Sequence, residues 1–136
     1  METQFLSFYL ENELYLIDIA HIREIISYEE PNPVPNGEHA SLGIMDIRGD
    51  VLSIFCGREL LSLPSRPERA AGEKIIILET ETGDFGLAVD EVNDIVSFQQ
   101  DDIGHPTHKR DNKLITGSIN AGNQLYIVLD INNWDQ

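Results

Sequence analysis

The feature that most constrains this chain is a repeat within it. At an offset of 70 residues, segment 15–27 lies on segment 85–97 without a gap. Ile25 and Ser27 recur as Ile95 and Ser97, most apolar positions coincide, and Glu24 falls on Asp94. A second pair of segments follows suit. Residues 42–56 read as two short strands around Arg48-Gly49-Asp50, and residues 114–129 as two more around Ala121-Gly122-Asn123. Gly49 and Gly122 stand 73 apart, which predicts three residues of loop-length difference between the halves. Five strand-like runs per half are enough to close a small barrel. The expected fold is all-β, with two five-stranded barrels packed as one domain over residues 1–136. One lobe is expected near 5–63 and the other near 74–134, with strands allowed to cross between them.

The local patterns fill in this plan. Residues 5–10 and 14–17 are aromatic and branched, and Glu11-Asn12-Glu13 supplies the turn of an opening hairpin. Asp18 is placed to cap one or two helical turns over 18–23, and a strand resumes at 24–28. Three prolines in 31–37 remove backbone donors, so this stretch is an extended, stiff connection. A short helix is expected at 58–61, and a polar linker at 64–72. Residues 74–79 are apolar with little alternation, the mark of a strand buried on both faces. A helical turn at 90–93, a strand at 94–98, a polar loop at 99–113 and a final turn at 131–134 complete the expectation.

Composition narrows the partners. With 24 acidic residues against nine basic ones the net charge is −15, which opposes both phosphate backbones and anionic lipid surfaces. Nucleic acid and direct membrane insertion are therefore not expected. The polar, acidic start Met1-Glu2-Thr3-Gln4 is unlike a secretory signal, and no apolar run is long enough to span a bilayer. Cys56 is the single cysteine, so no intrachain disulfide can form, in keeping with a reducing, cytoplasmic compartment.

Reactive chemistry finds little support. No phosphate-cradling glycine loop, nucleophile elbow or HExxH helix occurs. His105 and His108 share a polar loop, but zinc usually takes three or four protein ligands and only Cys56, distant on an expected strand, could join them, so a solvated loop is the expectation. Asp101-Asp102 and Asp111 lack calcium-loop spacing, and Glu29-Glu30 reads as a solvated pair. Cys56, inside an apolar strand, reads as a core residue. No metal, cofactor or enzymatic activity is expected.

Four stretches together resemble the CheW family of chemotaxis coupling proteins. They are 16–26, Pro33-Val34-Pro35 with Gly43-Ile44-Met45-Asp46-Ile47-Arg48-Gly49, then 86–92, and Ile115-Thr116-Gly117 with 125–130. Asp46-Ile47 stands where the family usually has Asn-Leu, and Cys56-Gly57 where Asp-Leu is usual. The second half keeps the counterpart as Leu129-Asp130. The resemblance implies two SH3-like barrels and a non-catalytic adaptor that links the cytoplasmic tip of chemoreceptors to the regulatory domain of a histidine kinase. It implies recruitment to receptor arrays at the inner face of the membrane. It also implies that Tyr28 and Val34 lie on the kinase-binding rim, and that Glu24 and Arg48 approach one another and serve receptor coupling. The alternatives are a regulatory CheW-like module of a histidine kinase, and a small-barrel ligand- or metal-binding protein using the 105–111 loop.

Overall fold

The computed structural model describes residues 2–35, 37–64, 71–104 and 112–133. Ten strands carry the fold: β1 (Glu2–Leu10), β2 (Glu13–Asp18), β3 (Ile22–Ser27), β4 (Ser41–Ile47), β5 (Asp50–Cys56), β6 (Lys74–Thr80), β7 (Gly83–Val89), β8 (Glu91–Gln99), β9 (Ile115–Ala121) and β10 (Gln124–Leu129). One short helix, α1 (Gly57–Leu60), follows β5, and 3-10 turns occupy Ile19–His21, Gln100–Asp102 and Ile131–Asn133. The all-β expectation holds, with two five-stranded, SH3-like lobes.

The lobes do not follow the halves of the sequence. Lobe A runs β8-β1-β2-β10-β9 and lobe B runs β3-β6-β7-β5-β4. Each half therefore lends its first hairpin to the sheet built by the other half. Boundaries at 5–63 and 74–134 cut across both sheets, because β2 and β7 each pair in parallel with a distant strand, β10 and β5. A parallel pair cannot be joined by a tight turn, so the chain must leave the sheet between them.

Pairing registers show that the repeat is structural. Phe5 opposite Val96 in lobe A recurs as Ile75 opposite Ile26 in lobe B. Leu16 beside Val128 recurs as Gly86 beside Ile54. In the later hairpins Ile47 opposite Asp50 corresponds to Ala121 opposite Gln124, an offset of 74 rather than 73. The two glycines are therefore one residue out of register with each other. Gly122 occupies the place of Arg48, not of Gly49.

Burial follows from this layering. The largest cluster lies between the lobes and includes Leu6, Phe8, Tyr15, Phe55, Ile76, Leu78 and Leu87. Lobe B has its own interior, with Met45, Ile47, Leu52, Ile54, Ile75 and Ile77, and lobe A a smaller one of Phe5, Leu16, Ile119 and Val128. Strand β6 lacks alternation because Ile75 and Ile77 fill lobe B while Ile76 and Leu78 fill the inter-lobe core. Each buried side chain of this size contributes about 1.5–3 kcal/mol relative to exposure.

A crossing segment covers one strand in each lobe. Asn32 bridges to Ile44 and Gly104 to Ser118. The approach is close enough that a Cβ at Gly43 would lie 2.1 Å from the Asn32 carbonyl oxygen, and Gly43 has φ +128. Its counterpart Gly117 would bring a Cβ 2.5 Å from Ile103 Cγ2.

The helical turn expected at 90–93 does not form; β8 starts at Glu91. Asp18 does cap the turn at Ile19–His21, accepting from the Ala20 amide at 2.9 Å. The Asp90 carboxylate is instead taken by Arg58 and by the Glu11 amide, so it has another use than capping. His105, His108, Asp111 and Trp134 lie outside the described residues, as does most of the 64–72 linker.

Candidate functional site

The β4–β5 hairpin turns in two residues, Arg48 at φ 52 and Gly49 at φ 92. Two positive φ values match the right-handed twist of the flanking strands. Glycine adopts this geometry freely, whereas an L side chain in the left-handed region costs roughly 1–2 kcal/mol. Asp46 Oδ1 steadies the turn by accepting from the Gly49 amide at 2.8 Å. That bond needs a side-chain oxygen, which the family's usual asparagine also has, so the Asp46 departure preserves it.

Strand β3 approaches this tip through a bulge. Ile22 pairs with Leu78 and Glu24 with Ile77, leaving Arg23 as the extra residue. A bulge re-aims neighbouring side chains, and here both Arg23 and Glu24 reach the hairpin. Glu24 Oε2 lies 3.6 Å from Arg48 Nε, as the resemblance implied. Arg48 remains 78% exposed, so most of its donors face solvent. The Arg23 Nη1 atom meets Asp50 Oδ2 at 2.9 Å and Asp84 Oδ2 at 3.2 Å. Bonding to Asp50, assisted by Asp84, raises the Arg23 pKa above its ordinary value against the opposing effect of burial. Reading the sequence missed Arg23. Its partners lie 27 and 61 residues away, and nothing local to 22–24 indicates the bulge.

The two remaining residues of the expected site are separate in character. Val34 is exposed on the proline-rich segment. Tyr28 is half-buried and packs against the interior of lobe B, which makes it a support beneath the rim more than a contact on it.

A second surface comes from the sheet edges. Ile22 and Ile25 pair with Leu78 and Ile76, and Val92 and Ile95 with Phe8 and Leu6. All four partners belong to the inter-lobe core. The edge residues therefore extend the face of that core outward, one pair on β3 and its counterpart on β8. Ile25 is 40% and Ile95 55% exposed. The repeat already matched Ile25 with Ile95, but only the register shows which face they share.

Arg58 clamps the lobes together. Its Nε lies 3.0 Å from both Asp90 oxygens and its Nη2 2.6 Å from Oδ2, while Nη1 donates to the Pro64 carbonyl at 3.0 Å. Asp90 Oδ2 also accepts from the Glu11 amide at 2.7 Å. The pair is mostly buried, and the bond to Asp90 raises the Arg58 pKa.

A depression of about 220 Å³ at one end of lobe A is lined by Phe5, Asp18, His21, Ile103, Val128 and Asp130, among others. One oxygen of each carboxylate is engaged locally, Asp18 with the Ala20 amide and Asp130 with the Asn132 amide at 3.0 Å. Among the described residues no group of three or more His, Cys, Asp and Glu side chains is arranged to hold a metal. Cys56 is buried on β5.

A family model described as a CheW-like domain matches residues 4–134. The chain is 26% identical over 134 residues to the chemotaxis protein CheW of Treponema pallidum, covering 94% of this chain and 79% of that protein. It is 24% identical over 132 residues to the CheW of Thermotoga maritima, with 96% and 85% covered. With the CheW of Bacillus subtilis the identity is 28% over 96 residues, 71% of this chain and 61% of that one. The crystal structure of the scaffolding protein CheW from Thermoanaerobacter tengcongensis superposes with a TM-score of 0.87 at 22% identity, covering 96% and 90%. At that identity the likeness is one of fold.

Proposed function

The chain belongs to the CheW-like domain family, and on that premise we propose that it is a non-catalytic scaffold coupling chemoreceptors to a histidine kinase in a chemotaxis-type assembly. The observation that carries the reading is the pair of apolar edge strips, Ile22 with Ile25 and Val92 with Ile95, continuous with the inter-lobe core. Exposed apolar residues continuous with a core suit the burial of an apolar partner surface. The proposed occupant is the cytoplasmic tip of a receptor, with Arg48 beside Glu24 as the polar contact that orients it. A guanidinium held by one carboxylate keeps donors free for a partner, which a lysine would not reproduce.

The kinase is proposed to meet the proline-stiffened rim through Val34, with Tyr28 supporting it from below. A stiff segment loses little entropy on docking. No helix among the described residues is long and apolar enough to cross a membrane. The proposed route to the inner membrane face is through the receptors.

Calorimetric titration against the regulatory domain of the cognate kinase tests the rim. Val34→Asp should weaken binding tenfold or more, because an unpaired charge would be stranded in the interface. Unchanged affinity in a stably folded variant refutes the kinase face.

A further inference from the structure

We propose that Arg23 is a positioning residue that fixes the β4–β5 tip and thereby sets where Arg48 is presented; the inference rests on the coupling reading of Arg48. The two contacts from β3 to the tip are unequal. Arg48 meets Glu24 at 3.6 Å with a side chain 78% exposed, a geometry that water screens. Arg23 is 21% exposed and places one nitrogen between two carboxylates, at 2.9 and 3.2 Å. Asp50 is the first residue after the Arg48-Gly49 turn, and Asp84 lies on β7. Arg23 therefore ties the base of the turn to the body of lobe B.

The repeat supplies an independent comparison. Lobe A has the same bulge: Ser7 pairs with Asp94 and Phe8 with Val92, leaving Asn93 extra. There the bulge is satisfied from within. Ser7 Oγ donates to the Asp94 carbonyl at 2.8 Å and accepts from the Asp94 amide at 3.0 Å and from Asn93 Nδ2 at 3.1 Å. In lobe B the residue equivalent to Ser7 is Ile77, a fully buried apolar side chain. The charged bulge residues turn outward to the tip instead. The same backbone irregularity thus serves the fold in lobe A and the hairpin in lobe B. The hairpin it serves is the one bearing an arginine where lobe A has glycine.

Two readouts test this in the full chain: the Gly49 amide resonance in ¹H–¹⁵N spectra, and receptor-dependent kinase control in membranes bearing the receptor. Arg23→Gln should move the Gly49 resonance and reduce control at least fivefold. Arg23→Lys should keep control within twofold, since both contacts run through a single nitrogen. Adding Arg23→Gln to Arg48→Ala should cause no further loss. A Gly49 resonance unmoved by Arg23→Gln overturns the positioning role, whatever the function of Arg48. Losses that multiply in the double variant overturn it too, by showing that Arg23 meets the partner itself. If Arg48→Ala couples normally, the coupling reading fails, while a moved Gly49 resonance still supports tip positioning.

Discussion

At one corner of the molecule Arg58 forks onto Asp90, which also takes the Glu11 amide. At the corner that the repeat makes equivalent, Asn132 Oδ1 accepts from the Glu81 amide at 3.4 Å. Glu11 and Glu81 begin the same turn in the two exchanged hairpins. The backbone plan is shared, and the side chains that secure it have diverged. The same holds at the hairpin tips, where Arg48 answers to Gly122, and in the bulges, where Arg23 answers to Asn93. At the tip and the bulge the charge has accumulated in lobe B, where Arg23, Glu24, Arg48 and Asp50 gather. Lobe A keeps the neutral version of the tip and of the bulge, whereas the charged Arg58–Asp90 corner joins the two lobes. Backbone register is thus what the fold requires, and the charged substitutions upon it are where function is expected.

The largest expected effect concerns the crossing segments. Gly43→Ala should destabilise by roughly 3–5 kcal/mol, since a positive φ and a backbone clash act together. Gly117→Ala, which meets Ile103 Cγ2 at 2.5 Å and the Gly104 carbonyl oxygen at 2.7 Å but has no positive φ to strain, should cost about 1–3 kcal/mol. Urea unfolding of both variants checks the order. Equal losses would mean that the two crossings are held alike and the contrast is illusory.

The corners come next. Arg58→Ala removes the charge partner of a mostly buried carboxylate and should cost roughly 3 kcal/mol. Asn132→Ala removes one long neutral hydrogen bond and should cost under about 1 kcal/mol. Melting of the two variants decides whether the clamp is as one-sided as the distances indicate.

The tips give the smallest effect on stability and the sharpest on function. Arg48→Gly relieves a left-handed arginine and loses a screened ion pair. Stability should shift by less than about 1 kcal/mol, in the favourable direction. Receptor-dependent kinase control should nevertheless fall. A variant that is markedly less stable would make Arg48 structural.

Much of this was legible in the sequence, and the limits are physical. The strands and the repeat through 15–27 and 85–97 follow from local apolar patterning, which short segments express by themselves. The hairpin exchange does not, because β2 with β10 and β7 with β5 pair across more than 30 residues and no local pattern selects the partner. Asp18 and Asp90 look alike as caps; only the distant Arg58 makes Asp90 something else. Glu24 and Arg48 came together through a family resemblance rather than through spacing. Ile25 and Ile95 were visible as a matched pair, yet their shared face depends on which neighbours β3 and β8 acquire. Arg23 lay hidden behind a bulge that is invisible without register.

Coupling through the edge strips and the Arg48 tip is proposed to make receptor control of the kinase depend on this chain. Its most direct test is kinase phosphorylation in membranes bearing the cognate receptor, with the chain absent, present, or carrying both Ile25→Asp and Ile95→Asp. Receptor control of the kinase should require the chain and be lost in the folded double variant, while binding to the isolated kinase regulatory domain is retained. Receptor control that is equally strong without the chain, or undiminished with the double variant, would contradict it.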